Sequence, residues 1–204
     1  NERQRPRDLV PDDPARPETR RYVEEVVFTA SGQRTQRVRP GTYTAHCSRG
    51  LEYEVEVREV EVRPGEVTPI DVTLRRAIDT SGFASGDFHL HSVNSVDSTM
   101  SLQRRVAHVA AEGVDLACSS DHNFVTDYTQ AIAAQGLEDW VQGMVGLEMT
   151  TLEVGHFNGF PLRYDPGPIT KGAFEWSGRP PAEVFEDIRA LGKYGPDRTV
   201  VQVN

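Results

Sequence analysis

No run of apolar residues in this 204-residue chain is long enough to cross a bilayer. No basic stripe is present to follow a phosphate backbone, and the net charge of −9 argues against both a nucleic-acid groove and an anionic membrane surface. A reading as a nuclease or a polymerase proofreading domain is disfavoured on the same ground. Cysteine is scarce: Cys47 and Cys118 lie far apart in different kinds of sequence, and both read as buried free thiols rather than a disulfide. The first residue is Asn and not Met, which reads as a processed or trimmed product; a secreted or periplasmic bacterial protein is expected, with a cytoplasmic one left open as the alternative.

An apolar content of 37% is enough for a real core in one or two domains. Residues 1–20 are rich in Arg, Asp, Glu and Pro and suit an extended arm. Residues 21–78 read as short strands separated by Ser31-Gly32, Pro40-Gly41 and Pro64-Gly65 turns. Glu52 to Val62 alternates Tyr or Val with Glu or Arg almost throughout, as a half-buried antiparallel strand does. A small Ig-like β-sandwich is expected there, with His46 as an ordinary strand residue.

From about residue 83 to 204 the pattern becomes strand, helix, strand, helix. The spacing of Leu102, Val106, Val109 and Ala110 predicts a helix over 99–112, with Ser98 as its cap and Gly113 as its stop. Further helices are expected over 126–135 and from Pro181 to Leu191. His108, inside the first helix, reads as a surface or core residue.

Chemistry concentrates in Gly86-Asp87-Phe88-His89-Leu90-His91-Ser92, followed by Asp97. Alternation along a strand points His89 and His91 the same way, and two imidazoles side by side make half of a metal site. Later strands repeat the arrangement: His122, Glu148 and His156 each stand at or near an expected carboxyl end. Alternating β and α elements would bring those ends to one mouth, so the ligands would converge without being neighbours in sequence. Mixed His and carboxylate ligands suit Zn²⁺, Mn²⁺ or Fe²⁺ better than Mg²⁺ or Ca²⁺. Ser92, Ser119, Ser120 and Cys118 read as packing or turn residues rather than nucleophiles.

The phrases Asp-Phe-His-Leu-His-Ser with Asp97, Ser-Asp-His-Asn, Gly-Leu-Glu and Gly-His-Phe-Asn resemble the ordered motifs of the PHP (polymerase and histidinol phosphatase) superfamily. Gly-His-Phe-Asn-Gly-Phe and the β-module in front resemble CehA/McbA-type metallohydrolases, and Arg-Pro-Gly-Thr-Tyr resembles the hairpin of carboxypeptidase-regulatory-like modules. The resemblance implies an α/β fold, a partial, distorted (β/α)7 barrel preceded by the β-sandwich. It implies two or three divalent metals: His89 and His91 on the first, Glu148 bridging to a second with His156, Asp97 and His122 on a third. Asp87 and Asp121 would stand behind the ligands and orient them.

The implied reaction is metal-assisted hydrolysis of a small phosphoester, or of a carbamate, ester or amide. Asn123, Arg163, Tyr164, Lys171 and Trp176 are candidate substrate contacts. Family members continue beyond the Val-Val-Gln-Val-Asn strand with a His and then an Asp-x-His pair, which have no counterpart in this chain. It therefore reads as a piece of a longer polypeptide, whose remainder would be its partner, with weak metal binding and little turnover alone. The competing reading is a non-catalytic binding module in which the β-sandwich does the work.

Overall fold

The computed structural model describes residues 23–204; the expected arm over residues 1–20 lies outside them. Three small sheets form, and no barrel closes. β1 (Gly41–Cys47) and β2 (Glu56–Val62) make a two-stranded antiparallel ribbon. β3 (Gly86–Leu90), β4 (Leu116–Ser119) and β5 (Gln142–Met144) make a parallel sheet, with α1 (Leu102–Ala111) and α2 (Thr129–Ala133) in its crossovers. β6 (Leu147–Thr150), β7 (His156–Phe160) and β8 (Val200–Val203) make an antiparallel sheet, with α3 (Pro181–Ala190) between β7 and β8.

Link lengths explain why the expected barrel does not form. Only Val145 and Gly146 separate β5 from β6, whereas a parallel crossover needs about a dozen residues or more. The chain therefore leaves the parallel sheet at Met144. Residues 151–155 then fold β6 back on β7 as a hairpin, which fixes an antiparallel pair. The expected β-sandwich is likewise absent among the described residues. The segments 23–28 and 70–74 join no sheet, and with no second layer to cover them Val55, Val57 and Ile70 stay exposed.

Local signals hold better than the global ones. Helix α1 begins three residues later than the Ser98 cap would set it. Ser101 is the cap, its side chain accepting from Arg104 N at 3.3 Å, and Gly113 ends the helix at φ 66°. Val106, Val109 and Ala110 face the parallel sheet and pack with Leu90, Ala117 and Ile132. A second core lies on one face of the antiparallel sheet, where Leu147, Met149 and Phe157 meet Val184 and Ile188 of α3. Alternation sends Glu148, Thr150, His156 and Asn158 to the other face.

Asp121 to Thr126 ties the two sheets together. His122 and Glu148 form a parallel bridge, Glu148 N donates to Asp121 O at 3.1 Å, and Asn123 N donates to Glu148 O at 2.9 Å. The left-handed backbone of Asn123 (φ 51°) lets its side chain bracket Thr150, accepting from Thr150 N at 2.9 Å and donating to Thr150 O at 3.0 Å.

The antiparallel sheet sits tight on α3: a Cβ added at Gly159 would lie 2.3 Å from Ile188 Cγ2. Ile188→Ala is expected to lower stability by about 2–5 kcal/mol. Gly159→Ala alone should cost about 1–3 kcal/mol through overpacking. Denaturant unfolding of the double variant should give less than the sum, because each change offsets the other.

Candidate metal centre

The alternation of β3 sets His89 and His91 ring to ring, with centroids 5.0 Å apart. His91 lies just past the end of the strand, where its carbonyl accepts from Arg105 Nε of α1 at 2.8 Å. The β4–α2 segment adds His122, whose ring meets that of His91 edge-on at 4.6 Å. His156 enters from the amino end of β7, not from a carboxyl end. The hairpin register Thr150↔His156 places it beside Glu148, and its ring centroid is 5.5 Å from that of His122.

Four imidazoles therefore surround one buried carboxylate. Glu148 Oε2 lies 3.3 Å from His89 Nε2, 3.1 Å from His91 Nε2 and 3.1 Å from His122 Nδ1. Its Oε1 lies 3.0 Å from His156 Nδ1 and accepts from Asn204 Nδ2 at 3.1 Å. Asp97, on the loop after β3, reaches back to His91 Nδ1 at 3.0 Å and His122 Nε2 at 3.4 Å. The Ser95 hydroxyl, donating at 2.6 Å, and then His91 hold the Asp97 carboxyl well below the usual carboxylate range. Burial is graded: the Glu148 side chain is 2% exposed and that of His122 14%, against 44% for His156 and 52% for Asp97.

Protons alone account poorly for this set. One carboxylate oxygen has two lone pairs, yet three ring nitrogens crowd Glu148 Oε2. Ligands about 2.0–2.1 Å from one divalent ion stand about 3.0 Å apart at right angles and about 3.4 Å apart at tetrahedral angles. The observed separations of 3.0–3.4 Å fall on those edges. Three groups could each hold a metal ion: His89, His91 and Glu148; His91, Asp97 and His122; His122, Glu148 and His156.

The supporting residues act through the backbone. Asp87 accepts from His89 N at 3.0 Å. Asp121, fully buried, accepts from Ser92 N at 2.5 Å, Ser92 Oγ at 2.6 Å and the Thr126 hydroxyl. Its carboxylate thus fixes the turn after His91 and touches no imidazole. Thr150 Oγ1, 2.5 Å from His122 Nδ1, orients that ring. Thr150, Asn158 and Asn204 were not singled out from sequence. The signal that points to them is register, which puts all three on the Glu148 face of the sheet.

The candidate substrate contacts are engaged elsewhere. Arg163 donates to the carbonyls of Ala190 and Gly192 at the end of α3, and Asn123 brackets Thr150. Lys171 Nζ donates to Pro166 O at 2.9 Å, Trp176 packs on the second core, and Tyr164 is partly exposed. Burial, with a smaller contribution from Asp87, pushes the Cys118 thiol up to about 12, so it supplies no thiolate at neutral pH. Ser119 and Ser120 are spent on backbone carbonyls. No protein-family model matches the chain, and no curated protein is recognisably similar to it.

Glu148→Gln keeps the shape of the central side chain and removes its charge. Calorimetric titration with Zn²⁺ or Mn²⁺ should show affinity falling by about 100-fold or more, beyond the 10–100-fold of a supporting residue. An unchanged isotherm would remove Glu148 from the centre.

Proposed function

We propose that the chain carries a di- or trinuclear divalent-metal centre used for hydrolysis of a small molecule. The observation that carries this reading is Glu148, buried with four imidazole nitrogens within 3.3 Å of its two oxygens. Such a donor set, of nitrogen and carboxylate oxygen without sulfur, suits Zn²⁺, Mn²⁺ or Fe²⁺. The motif resemblance to PHP-type, CehA/McbA-like metallohydrolases supports the same reading. It rests on the site, since the barrel of that superfamily does not form here.

When bound, the ions would acidify a water and stabilise charge on the attacked group. The chain's own residues divide the remaining work. Glu148 presents one oxygen to the His89 and His91 side and the other to His156. Asp97 holds the outer nitrogens of His91 and His122. Asp121 and Thr150 keep the His91 turn and the His122 ring in place. The substrate is a phosphoester, or a carbamate, ester or amide. No nucleophilic side chain is required, in keeping with the protonated Cys118 and the hydrogen-bonded serines. The competing binding-module reading loses support with the sandwich, because the described amino-terminal residues supply one two-stranded ribbon. No helix among the described residues is long and apolar enough to cross a membrane.

The test is elemental analysis followed by reconstitution. Purified protein loaded with Zn²⁺, Mn²⁺ or Fe²⁺ should retain transition metal through gel filtration and release it to EDTA. Hydrolysis of p-nitrophenyl phosphate and p-nitrophenyl carbamate esters should depend on that metal and fall by at least about 100-fold in His122→Ala. No metal above background after reconstitution would end the hydrolase reading.

A further inference from the structure

Asn204 and Asn158 lie behind Glu148 and His156, and neither belongs to the three groups that could hold an ion. Asn204 Nδ2 donates to Glu148 Oε1 at 3.1 Å, and its backbone N donates to His156 O at 3.1 Å. Its Oδ1 accepts from Gln202 Nε2 at 3.1 Å and from Asn158 Nδ2 at 3.5 Å. Two donors on that oxygen leave the NH₂ only one way to point, at Glu148. Asn158 is fully buried and also donates to Phe88 O at 3.3 Å, the carbonyl just before His89.

Asn158 Oδ1 has no partner among the described residues. Turning the amide over would not cure this, because it would set Oδ1 against the Phe88 and Asn204 oxygens. The donor side is set by its two acceptors, Phe88 O and Asn204 Oδ1.

We propose that Asn158 and Asn204 are positioning residues that set how many cations the centre takes. The inference rests on the metal reading above. A carboxylate can bridge two ions only if its two oxygens are held toward two different ligand sets. His156 alone does not hold Glu148 Oε1 there, since it would itself turn toward an ion. The Asn204 amide provides a fixed anchor, and Asn158 fixes Asn204 while tying β7 to β3. Without the pair, the carboxylate is free to rotate, and the ion between Glu148 and His156 is the one lost. The group His91, Asp97 and His122 uses neither Glu148 oxygen and keeps its ion.

The experiment counts equivalents in the unaltered chain, Asn204→Ala, Asn158→Ala and the double variant. Each is titrated with Co²⁺, followed by its visible absorption and by calorimetry, with circular dichroism to check folding. The unaltered chain should bind two or more equivalents. Both single variants should bind one fewer at the same free Co²⁺, or bind that one about 10–100-fold more weakly, with an altered visible spectrum. The double variant should match Asn204→Ala, because Asn158 acts through Asn204. Asn204 is exposed, so Asn204→Ala gives the answer even where Asn158→Ala does not fold. Equal stoichiometry with affinities within about twofold would overturn the pair's role and leave the centre standing. One equivalent or none in the unaltered chain would overturn the bridging role, and none would also end the metal reading.

Discussion

The burial of the Glu148 carboxylate is the constraint around which this structure is arranged. An ionised carboxylate removed from water costs several kcal/mol unless charge is brought to it. No arginine or lysine among the described residues pairs with it; its partners are four imidazoles and an amide. Imidazoles can balance the charge only by taking up protons. Rings whose centroids lie 4.6 to 5.5 Å apart would then crowd like charges together. A divalent cation does the same work with its charge at one point, and it uses the nitrogen lone pairs that protonation would consume. The donor geometry and the electrostatics are both such that a metal ion could be held here.

That constraint also explains how the two sheets are joined. A parallel sheet and an antiparallel sheet have no ladder in common, and they meet here through the segment that follows β4. The backbone of Asp121 and Asn123 grips Glu148 on both its N–H and its C=O, while the Asp121 side chain grips Ser92 next to His91. One short stretch thus fixes His91, His122 and Glu148 relative to one another. The two hydrophobic cores flank this seam, one under α1 and α2 and one under α3, the second reaching into it at Val125. Packing supplies stability on either side, and hydrogen bonds set the geometry between.

Short-range periodicity made much of the site legible. His89 and His91 could be paired because the strand period is two, and Gly113 and Pro181 mark helix ends as their backbone preferences require. What could not be read was decided by connections. A two-residue link after Met144 and a five-residue turn after Thr150 turn an expected βαβ succession into a hairpin, a matter of chain reach rather than hydrophobic pattern. The convergence on Glu148 survives this because β7 runs backwards: the reversal brings the amino end of the strand, and His156 with it, to the place where a carboxyl end was expected. In the amino-terminal ribbon the alternation slips by one at Arg58-Glu59, so Val57 faces away from Val60 and Val62 and stays exposed, and among the described residues no second sheet covers it. Asn158 and Asn204 escaped notice because a polar residue within an apolar strand looks the same whether it meets solvent or a buried acid.

The graded burial of the ligands carries the last step. Glu148, His91 and His122 form an enclosed inner group, braced by Asp121 and Thr150, whereas His89, His156 and Asp97 stand at the rim with their side chains partly in solvent. The rim is where solvent reaches the cluster. A site organised this way does not need a closed barrel around it. It needs a rigid inner wall, which the seam between the sheets provides, and an outer edge whose ligands come from separate loops and strands.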